Sequence, residues 1–147
     1  MPFAFDTDAV SELARRRPLP AFVAWLRGVP ADDMALPALV RAELLAGAAK
    51  LPDPAGARLE RHYRANVFPL FAAVLPFAQA AADVYATARA DPDAAGQTMP
   101  DMDLLIAATA IASGHVLVTG NARHFARLVP YGLRLCSALS DARAHEG

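Results

Sequence analysis

Two carboxylates, Asp6 and Asp8, lie one residue apart directly after the short apolar run Phe3 to Phe5. The run is typical of a buried strand, and open α/β sheets carry their chemistry in the loops that follow such strands. A carboxylate in that place can hold a hard cation, or act as a base or a nucleophile. Asp8 is also well placed to cap the following helix, and we expect it to cap rather than to react.

Three further polar residues stand in surroundings that favour a functional role. Glu43 lies in a helical stretch where the residues three and four positions away are apolar or lack a side chain, and a buried glutamate needs a partner. Asp103 opens a very apolar helix and lies on its buried side. Asn121 follows an apolar strand and one glycine, at the edge that holds Asp6 if the strands are parallel. Each also has an ordinary explanation as a surface, first-turn or turn residue.

Together, Asp6, Glu43 and Asp103 are three carboxylates that the pattern directs to the interior or to one sheet edge. Clustered anions repel one another and hold protons more tightly, and a divalent cation relieves that repulsion. Magnesium favours a few carboxylates, several waters and a substrate phosphate. A phosphate-directed metal site is therefore one prediction from these residues.

Short apolar runs alternate with helical stretches along the chain, which is the pattern of a parallel sheet covered on both faces. We predict a single α/β domain with a parallel sheet of four to five strands and helices on both faces. Strands are expected at 3–5, 34–38, 74–77, 115–119 and 133–136, and helices at 8–16, 20–28, 39–50, 55–73 with a break near Pro69, 79–90 and 103–113. The polar tail from Ser137 is expected to fray.

Composition narrows the class of protein. The chain has 147 residues, 55% hydrophobic and 20% charged, which favours one folded domain. A formal charge of -1 argues against a broad basic footprint for duplex binding, although arginines make up all but one of the basic residues and suit local phosphate contacts. No apolar run has membrane-spanning length and no signal peptide is expected. Cys136 is the only cysteine, which excludes an internal disulfide and fits a reducing, cytoplasmic location.

Five segments of the chain form a recognisable series in their order and spacing. They are Phe5-Asp-Thr-Asp-Ala-Val-Ser-Glu-Leu13, Ala42-Glu-Leu-Leu-Ala-Gly47, Leu75-Pro-Phe77, Met102-Asp-Leu-Leu-Ile-Ala-Ala-Thr109 and Leu117-Val-Thr-Gly-Asn-Ala-Arg-His-Phe125. Together they resemble the PIN-domain ribonucleases, specifically the VapC/FitB-like toxins of type II toxin–antitoxin systems. The resemblance runs from about residue 3 to 136, and we expect a nuclease domain over 1–136 with a tail over 137–147.

The resemblance implies a metal-dependent endoribonuclease whose catalytic quartet is Asp6, Glu43, Asp103 and Asn121. Asp6, Glu43 and Asp103 would hold Mg²⁺, or Mn²⁺. It also implies an RNA substrate, a homodimer, no membrane association, and a small antitoxin that blocks the acidic pocket. Three positions depart from the family pattern. The family usually has Asn at Asp8, often has Asp at Ala78, which is outside the quartet, and often has a polar residue at Gly120.

Two other functions remain open from the sequence. A non-catalytic PIN-like module would bind RNA or a partner without cleaving. A phosphotransferase of the haloacid-dehalogenase type would use Asp6 as nucleophile and Asp8 as acid/base, but it needs a lysine, and Lys50 is the only one. That reading leaves Glu43 and Asp103 unexplained. Among the basic residues near these positions, Arg123, His124 and Arg127 follow Asn121 and are candidates for phosphate contacts.

Overall fold

The computed structural model describes residues 1–96 and 98–146 and contains one sheet of five parallel strands. The order across the sheet is β3-β2-β1-β4-β5. The prediction of a parallel sheet is confirmed, with the larger of the two expected strand numbers. The strands are β1 (Phe3–Phe5), β2 (Met34–Pro37), β3 (Ala73–Leu75), β4 (Val116–Val118) and β5 (Arg134–Cys136).

Helices connect the strands, as parallel pairing requires, since the chain must cross back before each new strand. The helix predicted over 79–90 is confirmed at both ends, and that predicted from 103 begins two residues earlier. Their bounds are α1 (Thr7–Ala14), α2 (Pro20–Arg27), α3 (Ala38–Ala49), α4 (Ala55–His62), α5 (Gln79–Ala90), α6 (Asp101–Ser113), α7 (Ala122–Phe125) and α8 (Ala138–Glu146).

The helical stretch predicted over 55–73 is divided. The α-helix α4 ends at His62, and a wider π-helical turn, Tyr63–Val67, and a 3₁₀ turn, Phe68–Leu70, follow it. The α-helical winding thus ends earlier than the break expected near Pro69. Pro69 itself stands at the start of the 3₁₀ turn, where its missing backbone N–H costs no helical hydrogen bond. The altered winding turns Tyr63 and Val67 into the core.

The core is built around the central strand β1. Ala4 and Phe5 are fully buried, and the Phe5 ring meets Phe71 edge-on with 5.2 Å between centroids. On α2, Phe22 stacks on Trp25 at 5.7 Å, and Trp25 in turn meets the ring of Phe3 edge-on. Burial of each phenylalanine contributes about 2–3 kcal/mol. These contacts fix the end of β1, from which Asp6 continues.

The tail does not fray over its described part, so that expectation is wrong. Ala138–Glu146 form α8, in which Leu139 and Ala142 are buried. The two residues are three positions apart, which places them on one face of the helix, and α8 packs against α2. Leu139 is the only large apolar residue of α8, and one such residue among alanines and polar residues was too weak a signal to predict this packing from the sequence.

Within residues 1–96 and 98–146, none of the helices combines the length and the apolar character that crossing a membrane requires.

Candidate active site at the carboxyl edge of the sheet

The strand order reverses direction beside β1, because the chain runs from β1 outward to β2 and β3 on one side and to β4 and β5 on the other. Such a reversal opens a crevice at the carboxyl ends of the strands, where α/β proteins bind ligands. The backbone N–H of Asp6 donates to the carbonyl of Val118 at 3.0 Å, so the ends of β1 and β4 lie side by side. Asp6 and the loop from Thr119 to Asn121 therefore share this crevice.

Asp6, not Asp8, caps the first helix, which corrects the expectation from the sequence. The Asp6 carboxylate accepts a hydrogen bond from the Ala9 N–H at 2.8 Å, and α1 begins at Thr7. Both aspartates are good capping residues, but the chain enters the helix immediately after β1 and leaves the capping position to the first of them.

Burial dominates the electrostatics of Asp6. Its side chain is 6% exposed, and burial raises its pKa from 3.8 to about 7. Hydrogen bonds from the Thr119 hydroxyl and the Ala9 N–H lower the pKa, and the nearby charges of Asp8 and Asp103 raise it. A buried carboxylate with anionic neighbours is the environment that a cation would relieve.

Glu43 reaches the same loop from the second turn of α3. The Thr7 hydroxyl donates a short hydrogen bond to its carboxylate, which ties α3 to the start of α1. The hydrogen-bonding partner that the sequence predicted for Glu43 is therefore a hydroxyl group and not a positively charged side chain. Thr7 had not been singled out in the sequence, because a threonine after an aspartate has no distinctive spacing.

Asp103 and Asn121 complete the group. The Oδ2 atom of Asp103, in the first turn of α6, lies 3.1 Å from Nε2 of His124. Asn121 is exposed, and its backbone N–H donates to the Thr119 hydroxyl at 3.0 Å. Through Thr119, the loop of Asn121 is thus linked to Asp6.

All four predicted site residues line one open cavity of about 370 Å³. The remaining lining residues come from α1 and from the segment after β4: Thr7, Asp8, His124 and Phe125. In the described part of the chain, no three His, Cys, Asp or Glu side chains lie close enough to hold one ion directly. Oxygen donors facing a cavity with room for water nevertheless suit Mg²⁺, which keeps several waters and binds through one or two carboxylates.

Asp8 takes part in a different arrangement. Arg143 of α8 donates to both of its carboxylate oxygens, at 2.6 and 2.8 Å. Nη2 of the same guanidinium lies 3.5 Å from the carboxylate of buried Glu12. No local pattern connects residues so far apart in the chain, so neither Arg143 nor Glu12 was predicted as part of the site.

A sequence model of the PIN domain matches residues 3–129. The chain belongs to the PIN-domain family. The match covers most of the chain and includes the four predicted site residues.

This PIN domain is similar to several curated proteins. It is 34% identical over 124 residues to VapC ribonuclease Y4jK of Sinorhizobium fredii, covering 82% of this chain and 87% of that protein. It is 36% identical over 107 residues to toxin FitB of Neisseria gonorrhoeae, covering 71% and 77% of the two chains. These likenesses confirm the VapC/FitB-like group that the sequence segments suggested.

Solved structures share the fold. The structure of FitAcB from Neisseria gonorrhoeae superposes on this PIN domain with a TM-score of 0.79 at 29% identity, covering 92% of this chain and 97% of the other. The structure of FitAB bound to an IR36 DNA fragment also gives a TM-score of 0.79, at 28% identity over 93% and 95% of the two chains.

Two charged residues near these positions in the sequence lie outside the cavity. Asp101 is 73% exposed and accepts hydrogen bonds from Tyr85 and Arg89, outside the cavity. Lys50 lies just beyond the end of α3 and does not line the cavity. With Asp8 held by Arg143 and a family match to PIN domains, the phosphotransferase alternative has no support.

Proposed function

We propose that this PIN domain is a metal-dependent endoribonuclease, the toxin of a toxin–antitoxin pair, and that it hydrolyses phosphodiester bonds in RNA. The observation that carries the proposal is the meeting of Asp6, Glu43, Asp103 and Asn121 in one cavity at the carboxyl edge of the sheet. The similarity to VapC ribonuclease Y4jK and to toxin FitB supports the same function.

In this proposal, Asp6, Glu43 and Asp103 hold Mg²⁺ or Mn²⁺, directly or through water. A bound divalent cation supplies positive charge that stabilises the anionic transition state of phosphodiester hydrolysis. The chain orients each ligand separately: the Ala9 N–H holds Asp6, Thr7 holds Glu43, and His124 holds Asp103. Such supporting hydrogen bonds fix ligand orientation.

The other side chains of the site have roles in the proposed hydrolysis that follow from their chemistry. Asn121 presents an amide at the cavity and orients a water or a phosphate oxygen. One cavity carboxylate accepts a proton from the attacking water while the oxygen of that water bonds to phosphorus. The P–O bond to the leaving oxygen breaks, and that oxygen takes up a proton from solvent. Arg123, exposed on α7 two residues after Asn121, is the first basic residue to test for contact with the RNA backbone.

The proposed partners are RNA, a small antitoxin and a second copy of the chain. The solved FitAcB and FitAB structures, whose chains are 29% and 28% identical to this one, support an antitoxin partner here. Exposed apolar side chains beside or on the edge strand β3, namely Leu70, Val74 and Phe77, offer a surface for a homodimer. An RNA substrate and the free Cys136 fit action in the cytoplasm.

Cleavage of a labelled RNA by the purified chain, freed of antitoxin, tests the proposal. We expect cleavage with Mg²⁺ or Mn²⁺, none in EDTA, and a loss of about 100-fold or more in Asp6→Asn and Asp103→Asn. Asp101→Asn is the matched control, because it makes the same change on the same helix two residues away but outside the cavity.

Cleavage that survives in EDTA or in folded Asp6→Asn protein would refute metal-dependent catalysis at this site. RNA binding without cleavage in either metal would instead favour the non-catalytic module. Equal losses in Asp101→Asn and Asp103→Asn would show that the effect comes from the helix terminus and not from the cavity.

A further inference from the structure

A fourth carboxylate, Asp8, lines the same cavity as Asp6, Glu43 and Asp103. Both of its oxygens accept hydrogen bonds from the Arg143 guanidinium, at 2.6 and 2.8 Å. This two-point geometry is the strongest arrangement of an arginine and a carboxylate. Asp8 therefore faces the cavity with its charge already paired.

Arg143 is itself held in place from behind. Glu12, whose side chain is 1% exposed, lies 3.5 Å from Nη2 and accepts hydrogen bonds from Arg15 and from the Leu19 N–H. The carboxylate of Glu12 is thus anchored to the backbone at 3.1 Å and gives the guanidinium a fixed anionic neighbour. A long side chain fixed at two points loses most of its freedom to leave Asp8.

Gly120 provides the space for the pair. A Cβ atom at this position would lie 2.1 Å from Nη1 of Arg143 and 2.3 Å from Oδ2 of Asp8. These separations are far shorter than any non-bonded contact, so a side chain at position 120 and the Asp8–Arg143 pair exclude one another. Asp8 and Gly120 therefore both lie against the same guanidinium.

The Asp8–Arg143 pair changes the net charge of the cavity. Without Arg143, four carboxylates would face the cavity, and a divalent cation would still leave an excess of two negative charges to repel the phosphates of RNA. With Asp8 neutralised, three carboxylates remain and the excess falls to one. Because the cavity lies at the edge of a low-dielectric interior, such a change is felt more strongly there than in bulk water.

We propose that Arg143 is a positioning residue that holds Asp8 out of the metal-binding set, so that the cation meets three carboxylates and not four. The inference rests on the metal dependence proposed above. It assigns to α8 a role in the site, because the residue that sets the charge of the cavity stands on that helix.

Binding of Mn²⁺ to metal-stripped protein without RNA, measured by electron paramagnetic resonance of the free ion, tests the inference. Arg143→Gln removes the charge that pairs Asp8 but keeps a hydrogen-bond donor. We expect about tenfold tighter Mn²⁺ binding, because the number of charged ligands is a main determinant of divalent-cation affinity. Asp8→Asn/Arg143→Gln removes both charges, and its affinity should return to within about twofold of wild type.

Two matched variants complete the experiment. Arg143→Lys keeps the charge but loses the two-point contact, so its affinity for Mn²⁺ should lie between those of the wild type and Arg143→Gln. Arg134→Gln makes the same substitution on β5, where the arginine donates to the Gly114 carbonyl outside the cavity, and should change nothing.

The outcomes separate the two proposals. Wild-type protein that binds no Mn²⁺ would refute the metal site, and this inference with it. Wild-type binding with unchanged or weaker affinity in folded Arg143→Gln would refute the inference alone. Weak binding in the double variant would show that Asp8 is a ligand despite its arginine. If Arg143→Gln and the double variant both fail to fold, Arg143 is needed only for stability, and its proposed role at the metal is refuted.

Discussion

Replacing Asp6 by Asn should stabilise the metal-free protein at alkaline pH, although it removes a predicted metal ligand. The pKa of Asp6 is 3.8 in the unfolded reference and about 7 in the folded protein. Between these values the unfolded chain has lost the proton that the folded chain keeps, so stability falls as the pH rises through this window. Above about pH 7 the full penalty is present.

The size of the effect follows from the shift. About three pKa units correspond to about 4 kcal/mol. Asn keeps an oxygen that can cap α1 at the Ala9 N–H, but it rearranges the hydrogen bond with Thr119, which costs about 1 kcal/mol. The net gain expected for Asp6→Asn at pH 8 is about 3 kcal/mol, or about 10 °C in melting temperature for a chain of this size.

Urea unfolding of both proteins in EDTA, from pH 5 to pH 8, measures the prediction. The difference in unfolding free energy should grow with pH by about 2–3 kcal/mol across this range. Added Mg²⁺ should stabilise the wild type and leave Asp6→Asn unchanged, because only the wild type keeps the full ligand set. A difference that is independent of pH, or an Asp6→Asn protein less stable than wild type at pH 8, would refute the reasoning about burial.

Three further substitutions test the supports of the cavity. Thr7→Val removes the hydroxyl that holds Glu43 and should lower the free energy of unfolding in urea by about 1 kcal/mol. Thr7→Ser keeps the hydroxyl and should keep the wild-type stability. Equal losses in both variants would mean that the methyl group of Thr7, and not its hydroxyl, is what stabilises the protein. Gly120→Ala should lower the free energy of unfolding by about 1–3 kcal/mol, because the new methyl group displaces Arg143 from Asp8. In an Arg143→Ala background the same substitution should cost less. Equal costs in both backgrounds would mean that the two residues do not interact. Leu139→Ala should lower the free energy of unfolding by about 2–5 kcal/mol, because it leaves a cavity under α8. His145 is exposed on the same helix, and His145→Ala should change the stability by less than about 0.5 kcal/mol. Similar values for both variants would mean that α8 does not pack on the core.

The parts of the site that follow from local pattern were predictable from the sequence. Asp6 after a buried strand and Asp103 at the start of an apolar helix each carry their structural context in the adjoining residues. Parallel pairing then brings the strand ends to one edge, which is why the sequence alone predicts that Asn121 lies near Asp6.

What the sequence did not reveal depends on contacts between distant residues. The ion pair of Asp8 joins α1 to Arg143, which is 135 positions away in the chain. The docking of α8 rests on Leu139 and Ala142, a face too small to stand out in a polar segment. Side-chain pairs of this kind leave no periodic pattern in the sequence, so they cannot be predicted from any short segment of it.

The position of β1 in the sheet has a consequence for synthesis on the ribosome. β1 is the first strand to emerge but the central one in the sheet, and it needs β4 as a neighbour, with Phe5 beside Val118. A nascent chain can therefore close the crevice only after most of its residues have been translated, and folding must wait for a pairing of long sequence separation. A protein that cuts RNA in this crevice would be harmless to its own messenger and ribosome during nearly all of its elongation.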